Sequence, residues 1–563
     1  MKHSIPCKLI LAGWLIMILS ALMVFADEGS LTPQTIERIR SSFQMDLHTR
    51  AMYNALTNTD IKELALNRDI LWRHDETFSH KIKTKGVTNQ KSSGRCWLFA
   101  GLNVLRYEVI QKYDLDEFEF SQNYLAFWDK MEKANRFLEY IIEFADRDPL
   151  DRELETILKM PFDDGGYWPN VVNLIEKYGA VPKKVMPETN SSDKTSNMNC
   201  LIALKLRADA AKLREMQQAG KSIEQMRLAK EEMLSDVYRM LVMNCGQPPT
   251  EFQWQYKPKD DEKDDDSDDD DDNDADDDDD DDENDNDADD DADDDDDNDV
   301  DNADDDDDDD DADDDDENGN DADDDDNDVD NADDDDDDDE NGNDADDDAD
   351  DDEKNAWLYE KRTYTPKSFY QQVVAVDLSE YVNLFNDTTH KYGRHYRIKL
   401  SRNLYDGDDI TYANVDIESI KKIAMESILD DQPVWFGADV GKDQSSKHGI
   451  MAMEMFDYDS IYDVDMSMTK AQRALYRESI RSHAMVFEGV DVKDDKPIKW
   501  WVENSWGKDN GSKGYWTLYD SWFDNHVYNI VVKKEYVPEN ILKIFDQEHI
   551  VLPAWDPMLS VLR

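Results

Sequence analysis

GVTNQKSSGRCWLFAGLNVLR, residues Gly86–Arg106, sets one cysteine between an arginine and a tryptophan, behind a loop of Asn, Gln, Ser and Gly. From Cys96 onward the pattern is helical. Leu98, Leu102, Leu105 and Val109 recur at steps of four, three and four, which is one face of a helix. A cysteine at a helix start meets exposed N–H groups and the positive end of the dipole, both of which favour the thiolate that makes cysteine a nucleophile. A lone cysteine is otherwise more often a small buried hydrophobe. What else the chain supplies therefore decides the reading.

Two further elements point to catalysis. Gln90 lies six residues before Cys96, in a loop able to aim its amide at an oxyanion. Far downstream, His483 opens a strand-like stretch and Asn504 lies in VENSWG. A cysteine–histidine pair needs a third group to fix the imidazole tautomer, and Asn fills that role in one variant of the triad. The order Q-x5-C-W, then H-A, then N-S-W-G makes Cys96 the candidate nucleophile, His483 its acid–base partner, Asn504 the orienter and Gln90 the oxyanion donor.

Elsewhere the first half reads as helical. Asp148-Pro149 carries a helix-start signal, and long helices are expected over about 197–219 and 223–243, the second opened by the capping box Ser222 and Gln225. Residues 27–85 read as helix followed by irregular chain. The last part is rich in strands, at 483–490, 498–503 and 514–519. Helices first and strands last is an α+β pattern.

The chain has 563 residues and a formal net charge of −74. Of its 136 acidic residues, 65 lie between Asp264 and Glu353, where there is no Lys or Arg, so 71 remain elsewhere against 62 bases. The acidity thus belongs to an insert, residues 259–354, not to the whole surface. It contains NDVDNADDDDDDD at 298–310 and 327–339, and ENGNDADDD at 317–325 and 340–348. So few apolar groups cannot support a core, and disorder is expected. Strand-like stretches at 251–256 and 357–364 flank the insert and read as the two arms of a hairpin. Pieces such as DENDNDADDDAD resemble calcium loops but lack the ligand spacing and terminal bidentate Glu, so weak, many-site divalent cation binding is the most they suggest, and no cofactor is expected.

The N-terminus has Lys2, His3 and Lys8 before an apolar run to Phe25, with Val24-Phe25-Ala26 as a cleavage site. It reads as an export signal over 1–26, the alternative being an uncleaved anchor. The mature chain keeps Cys96, Cys200 and Cys245, an odd number, with pairing of the last two left open.

The sequence resembles the bleomycin hydrolase and aminopeptidase C family of papain-like cysteine peptidases from about residue 30 to Met558, apart from the insert. The motifs that carry this are NQKSSGRCWLFAGLNVLR, FSQNYLAFWDKMEKAN from Phe120, DDGGYW at 163–168, YVNLFND from Tyr381, VWFGADVGK from Val434, SHAM at 482–485, VENSWG at 502–507 and LPAWDPM at 552–558. The resemblance implies a papain-like fold over 27–258 and 355–553, with the four residues above in the roles given, and Trp506 screening the His–Asn hydrogen bond. It also implies that a C-terminal arm, 554–563, enters the cleft, where its carboxylate holds the substrate's free amino group. That makes an aminopeptidase acting on peptides with a free N-terminus, assembled as a hexamer. The ending LSVLR differs from the short tail of small residues typical of relatives, and trimming would restore the family's register.

Two other functions compete. An arm outside the cleft would leave a papain-like endopeptidase. A scaffold without activity would be an exported cation-binding or interaction protein, which the intact Cys96, His483 and Asn504 argue against. Nucleic-acid binding is opposed by the charge of the insert.

Overall fold

In the computed structural model, residues 29–256 and 361–559 are described. The expected export signal, the acidic insert and the last four residues of the arm lie outside them.

The chain opens with helices α1 (Pro33–Ser42) and α2 (Leu47–Leu56), capped by Thr32 and Asp46. The strand β1 (His80–Lys81) follows, then α3 (Cys96–Tyr113), α4 (Gln122–Glu143), α5 (Arg152–Lys159), α6 (Trp168–Tyr178), α7 (Ser196–Gln218) and α8 (Ile223–Cys245). The expected helix at Asp148 begins three residues later. Asp148 spends its carboxylate on the Leu150 N–H, and Asp151 caps α5 through Glu153 and Leu154. The helices expected over 197–219 and 223–243 are α7 and α8, and Ser222 with Gln225 forms the capping box.

β2 (Phe252–Trp254) and β3 (Arg362–Tyr364) pair antiparallel, with Phe252 opposite Tyr364. Both sides of the acidic tract therefore meet in one small ribbon, sealed by Trp254, Tyr364 and Phe369.

The remaining strands are β4 (Tyr381–Phe385), β5 (Arg394–Ile398), β6 (Thr411–Asn414), β7 (Val434–Ala438), β8 (Gln444–Ser445), β9 (Ile450–Met451), β10 (His483–Lys493), β11 (Lys496–Glu503), β12 (Tyr515–Tyr519), β13 (Val527–Lys533) and β14 (Ile550–Leu552). With β1 against β10, they form one mixed sheet in the order β14-β5-β6-β4-β13-β7-β10-β11-β12-β9-β8. The helix α9 (Ile417–Leu429) packs on it through Ile420, Ile423, Ala424 and Ile428.

One apolar core joins α3, α4 and α6–α8, and a second lies between α9 and the sheet. α3 belongs to both. Every residue from Cys96 to Tyr107 is buried, so this helix is central and not amphipathic. Its polar members are satisfied internally: Asn103 and Arg106 both bond Glu503 at the end of β11. The helix that begins with Cys96 is thereby tied to the strand that leads into Asn504.

Candidate active site

The site forms where the first turn of α3 meets the ends of β10 and β11. Arg95 precedes the helix without a side-chain cap, which leaves the first N–H groups of α3 unclaimed by any side chain. Cys96 is completely buried. Its neighbour Trp97 is fixed from two sides: its indole N–H donates to the Asp164 carbonyl at 2.7 Å, and its own carbonyl accepts from Trp435 at 3.2 Å. A Cβ at Gly166 would lie 2.4 Å from the Trp97 ring, so the second glycine of DDGGYW is set by that close approach.

His483 is the first residue of β10 and pairs with Ala438. Antiparallel pairing of Val486 with Glu503 turns the chain so that Asn504, just past β11, returns beside it. The result is a 2.8 Å hydrogen bond between His483 Nε2 and Asn504 Oδ1. An amide oxygen only accepts, so in the neutral ring Nε2 carries the proton and Nδ1 is the free base. The Trp506 ring covers the imidazole, with centroids 4.8 Å apart. His483 and Asn504 are 5% and 0% exposed, which keeps their bond away from water.

Gln90 is built into the same corner. Its N–H donates to the Ser505 carbonyl at 2.8 Å, and Asn89 bridges Trp506. Its side-chain oxygen accepts from the Ser505 hydroxyl at 2.7 Å, which fixes the end that carries the NH2 group. That nitrogen gives one hydrogen to the Ser93 carbonyl. Two donors were present, so one remains.

Burial governs the electrostatics. It pushes the Cys96 thiol up to about 12, against the Ala484, Trp97 and Cys96 backbone N–H groups, which favour the thiolate. It pushes His483 down to about 4, opposed by the Asn504 hydrogen bond. The expected pull of the helix start toward the thiolate is present in the Trp97 and Cys96 N–H groups. The helix end acts in that direction, but desolvation outweighs it. Burial thus disfavours an isolated thiolate and an isolated imidazolium alike.

Sequence reading missed several supporting groups. Asp164 accepts from the Gly94 N–H at 3.2 Å and is ion-paired to buried Lys130, bracing the loop before Cys96. Arg95 is buried and paired with Glu188 at 2.9 Å. Arg481, two residues before His483, stacks on Tyr167 at 4.5 Å and donates to the Met558 carbonyl at 3.1 Å. Ala554 and Leu559 line a cavity with Gly165, Tyr167 and Asn170, next to the loop that holds Trp97. The signal in sequence was only that Arg95, Lys130 and Asp164 sit within the motifs, while Glu188 and Arg481 lie outside them. Their partners are tens to hundreds of positions away.

Among the described residues, none of Cys96, His483, Asn504 and Gln90 belongs to a group spaced to hold a metal ion. Cys200 is exposed, Cys245 is buried 3.7 Å from the Met198 sulfur, and neither forms a disulfide.

The peptidase C1-like family model matches residues 30–270 and 348–559. The chain belongs to this family. Human bleomycin hydrolase is 33% identical over 518 residues, spanning 90% of this chain and 93% of the relative. Aminopeptidase C of Listeria monocytogenes is 34% identical over 486 residues, 86% and 88% of the two chains. The crystal structure of PepW from Lactobacillus rhamnosis HN001 superposes with a TM-score of 0.75 at 32% identity, covering 95% of this chain and 99% of its own. This peptidase C1-like chain accordingly has the α+β, papain-like architecture, with helices and a mixed sheet meeting at the cysteine.

Proposed function

We infer that the protein is a cysteine-type aminopeptidase that removes residues from the free N-terminus of peptides. The observation that carries this is the oriented pair at the head of α3: Cys96 at the first helical position, with His483 held to Asn504 at 2.8 Å so that Nδ1 is its basic nitrogen. The relatives called bleomycin hydrolase and aminopeptidase C support the same activity.

The proton of Cys96 passes to His483 Nδ1, and the thiolate attacks the first peptide carbonyl. The spare Gln90 amide hydrogen and the Cys96 N–H receive the oxyanion. Protonated His483 gives its proton to the leaving amine as the carbon–nitrogen bond breaks and a thioester forms. Water, deprotonated by His483, then releases the free amino acid and restores the thiol.

Restriction to free amino termini follows from the arm at 554–563 entering the cleft. Contacts of Met558 with Arg481 and of Leu559 with the cavity beside Tyr167 support that course. The chain is exported through residues 1–26 and assembles as a hexamer. The Asp-rich composition of residues 259–354 supports no more than weak divalent cation binding. At a channel mouth such a tract would favour basic peptides and repel acidic ones, most strongly at low salt.

The test compares an aminoacyl fluorogenic amide with its N-acetylated twin, using Cys96→Ala as blank. Cleavage confined to the free amine, and lost in the variant, is expected. Equal cleavage of the blocked twin would mean an endopeptidase, and none of either in reducing buffer would end the enzymatic reading.

A further inference from the structure

The arm carries one acidic side chain, Asp556, and it is buried to 6% exposure. This residue joins two turns. Its N–H donates to the Pro553 carbonyl at 3.0 Å, and its carbonyl accepts from Leu559 at 3.0 Å. One carboxylate oxygen accepts from the Met558 N–H at 2.9 Å. The other lies 3.6 Å from Nε2 of His390. Nδ1 of the same ring is 2.7 Å from an oxygen of Asp387, a fully buried carboxylate that also accepts from Tyr412 at 2.9 Å and from Thr389 at 2.6 Å. His390 thus stands between one carboxylate anchored in the body of the protein and one anchored in the arm. Neither belongs to the catalytic constellation.

We propose that His390 is a positioning residue for specificity: braced by Asp387, it grips Asp556 and holds the C-terminal arm in the register that confines cleavage to substrates with a free amino terminus. This rests on the aminopeptidase reading above and adds the contact that sets it. The other holds on the arm differ in kind. Arg477 and Arg481 bond the carbonyls of Trp555 and Met558, and Arg152 lies over the Trp555 ring at 4.1 Å. Backbone carbonyls recur at every residue and tolerate a slipped register. The carboxylate of Asp556 occurs once, and the turn it organises runs through Met558 and Leu559.

The grip is ionic and depends on the charge of His390. The hydrogen bond to Asp387 raises the imidazole above its ordinary range, against burial, with the charges of Asp387 and Asp556 adding. Asp387 is pushed up by burial but held below the carboxylate range by His390 and Thr389, while burial raises Asp556. The other charged or titratable groups around them are Tyr396 against the His390 ring, Tyr412, Lys470 and Tyr528 toward Asp387, and Arg477 toward Asp556. A base with a raised folded value keeps its contribution at low pH and loses it as pH rises through that value.

The experiment measures the ratio of blocked to free-amine hydrolysis for the full chain, His390→Gln, Asp556→Asn and the double variant, in buffer containing EDTA. Both single variants are expected to raise the ratio roughly tenfold or more, the scale of breaking a partly buried ion pair. The double variant should add nothing further, because both changes remove one contact. The gap between wild type and His390→Gln should be widest near pH 6 and close toward pH 9. An unchanged ratio in Asp556→Asn, additive effects, or a gap independent of pH would overturn the proposal. Should His390→Gln fail to fold, Asp556→Asn decides, since it leaves the Asp387–His390 pair intact. Wild type that cleaves the blocked twin as fast as the free amine would instead remove the aminopeptidase reading itself.

Discussion

Arg106 of α3 and Glu503 of β11 are ion-paired at 2.7 Å, with 3% and 0% of their side chains exposed. Asn103 donates to the other oxygen of Glu503 at 3.0 Å. The pair joins the element that carries Cys96 to the strand that ends in Asn504. Glu503→Ala would take the hydrogen-bonded carboxylate away from a buried guanidinium and is expected to cost about 3–5 kcal/mol, whereas replacing both partners by Leu costs much less. Urea denaturation of the single and double variants checks this, and equal losses would contradict it.

Glu488 lies in the same buried pocket. Burial raises its carboxyl well above the ordinary range, Glu503 adds to this, and Arg106 and the Thr84 hydroxyl oppose it. An acid with a raised folded value is held protonated by the fold. Its stabilisation is complete below the ordinary Glu range and is lost as pH rises through the folded value. Glu488→Gln keeps the shape without the ionisation. Its melting temperature should match wild type near pH 5 and exceed it near pH 8. A difference that does not grow with pH would refute the assignment.

The Cys96 thiol, raised by burial, should depend on His483 for its reactivity. Iodoacetamide labelling at Cys96, followed by peptide mapping because Cys200 is exposed, is expected to slow at least about tenfold in His483→Ala at pH 7. Labelling at Cys200 serves as the internal control. An unchanged rate at Cys96 would mean that the thiolate forms without the imidazole.

Gln90 offers one spare amide hydrogen, and the Ser505 hydroxyl decides which way the amide faces. Gln90→Ala should lower kcat on the order of a hundredfold, as loss of an oxyanion donor does. Ser505→Ala keeps the donor but frees its orientation, so a smaller fall, about tenfold, is expected with KM little changed. Steady-state kinetics on one aminoacyl amide separates the two. A Ser505→Ala effect as large as that of Gln90→Ala would mean that the hydroxyl has a further role.

Local pattern made the nucleophile helix legible, because Leu98, Leu102, Leu105 and Val109 share a face. The strands at 483, 498 and 514 were legible because β-branched and aromatic runs end at Gly or Asn. The order of Cys96, His483 and Asn504 was legible because the family's motifs lie in short, intact blocks. What stayed hidden depends on contacts between distant positions. Nothing near Asp148 shows that its carboxylate turns to Leu150 while Asp151 takes the cap. The pair of glycines before Tyr167 has no visible reason until the Trp97 ring is placed against one of them. Position at a helix end suggested a low thiol value. Full burial of Cys96 reverses the sign, and burial cannot be read from one sequence.

The ribbon of β2 and β3 has a consequence for how this gene can drift. It fixes Trp254 and Arg362, which flank the acidic tract in sequence, a strand's width apart, so whatever length lies between them has only to join these two positions. Closing a loop costs only about 0.6 kcal/mol more for each doubling of its length. The identical blocks at 298–310 and 327–339 are the kind of repeat at which copying slips. Gaining or losing one of them changes the loop by well under a doubling, so folding exerts almost no selection on its length. The length of the tract is therefore set by constraints other than the pairing of Phe252 with Tyr364.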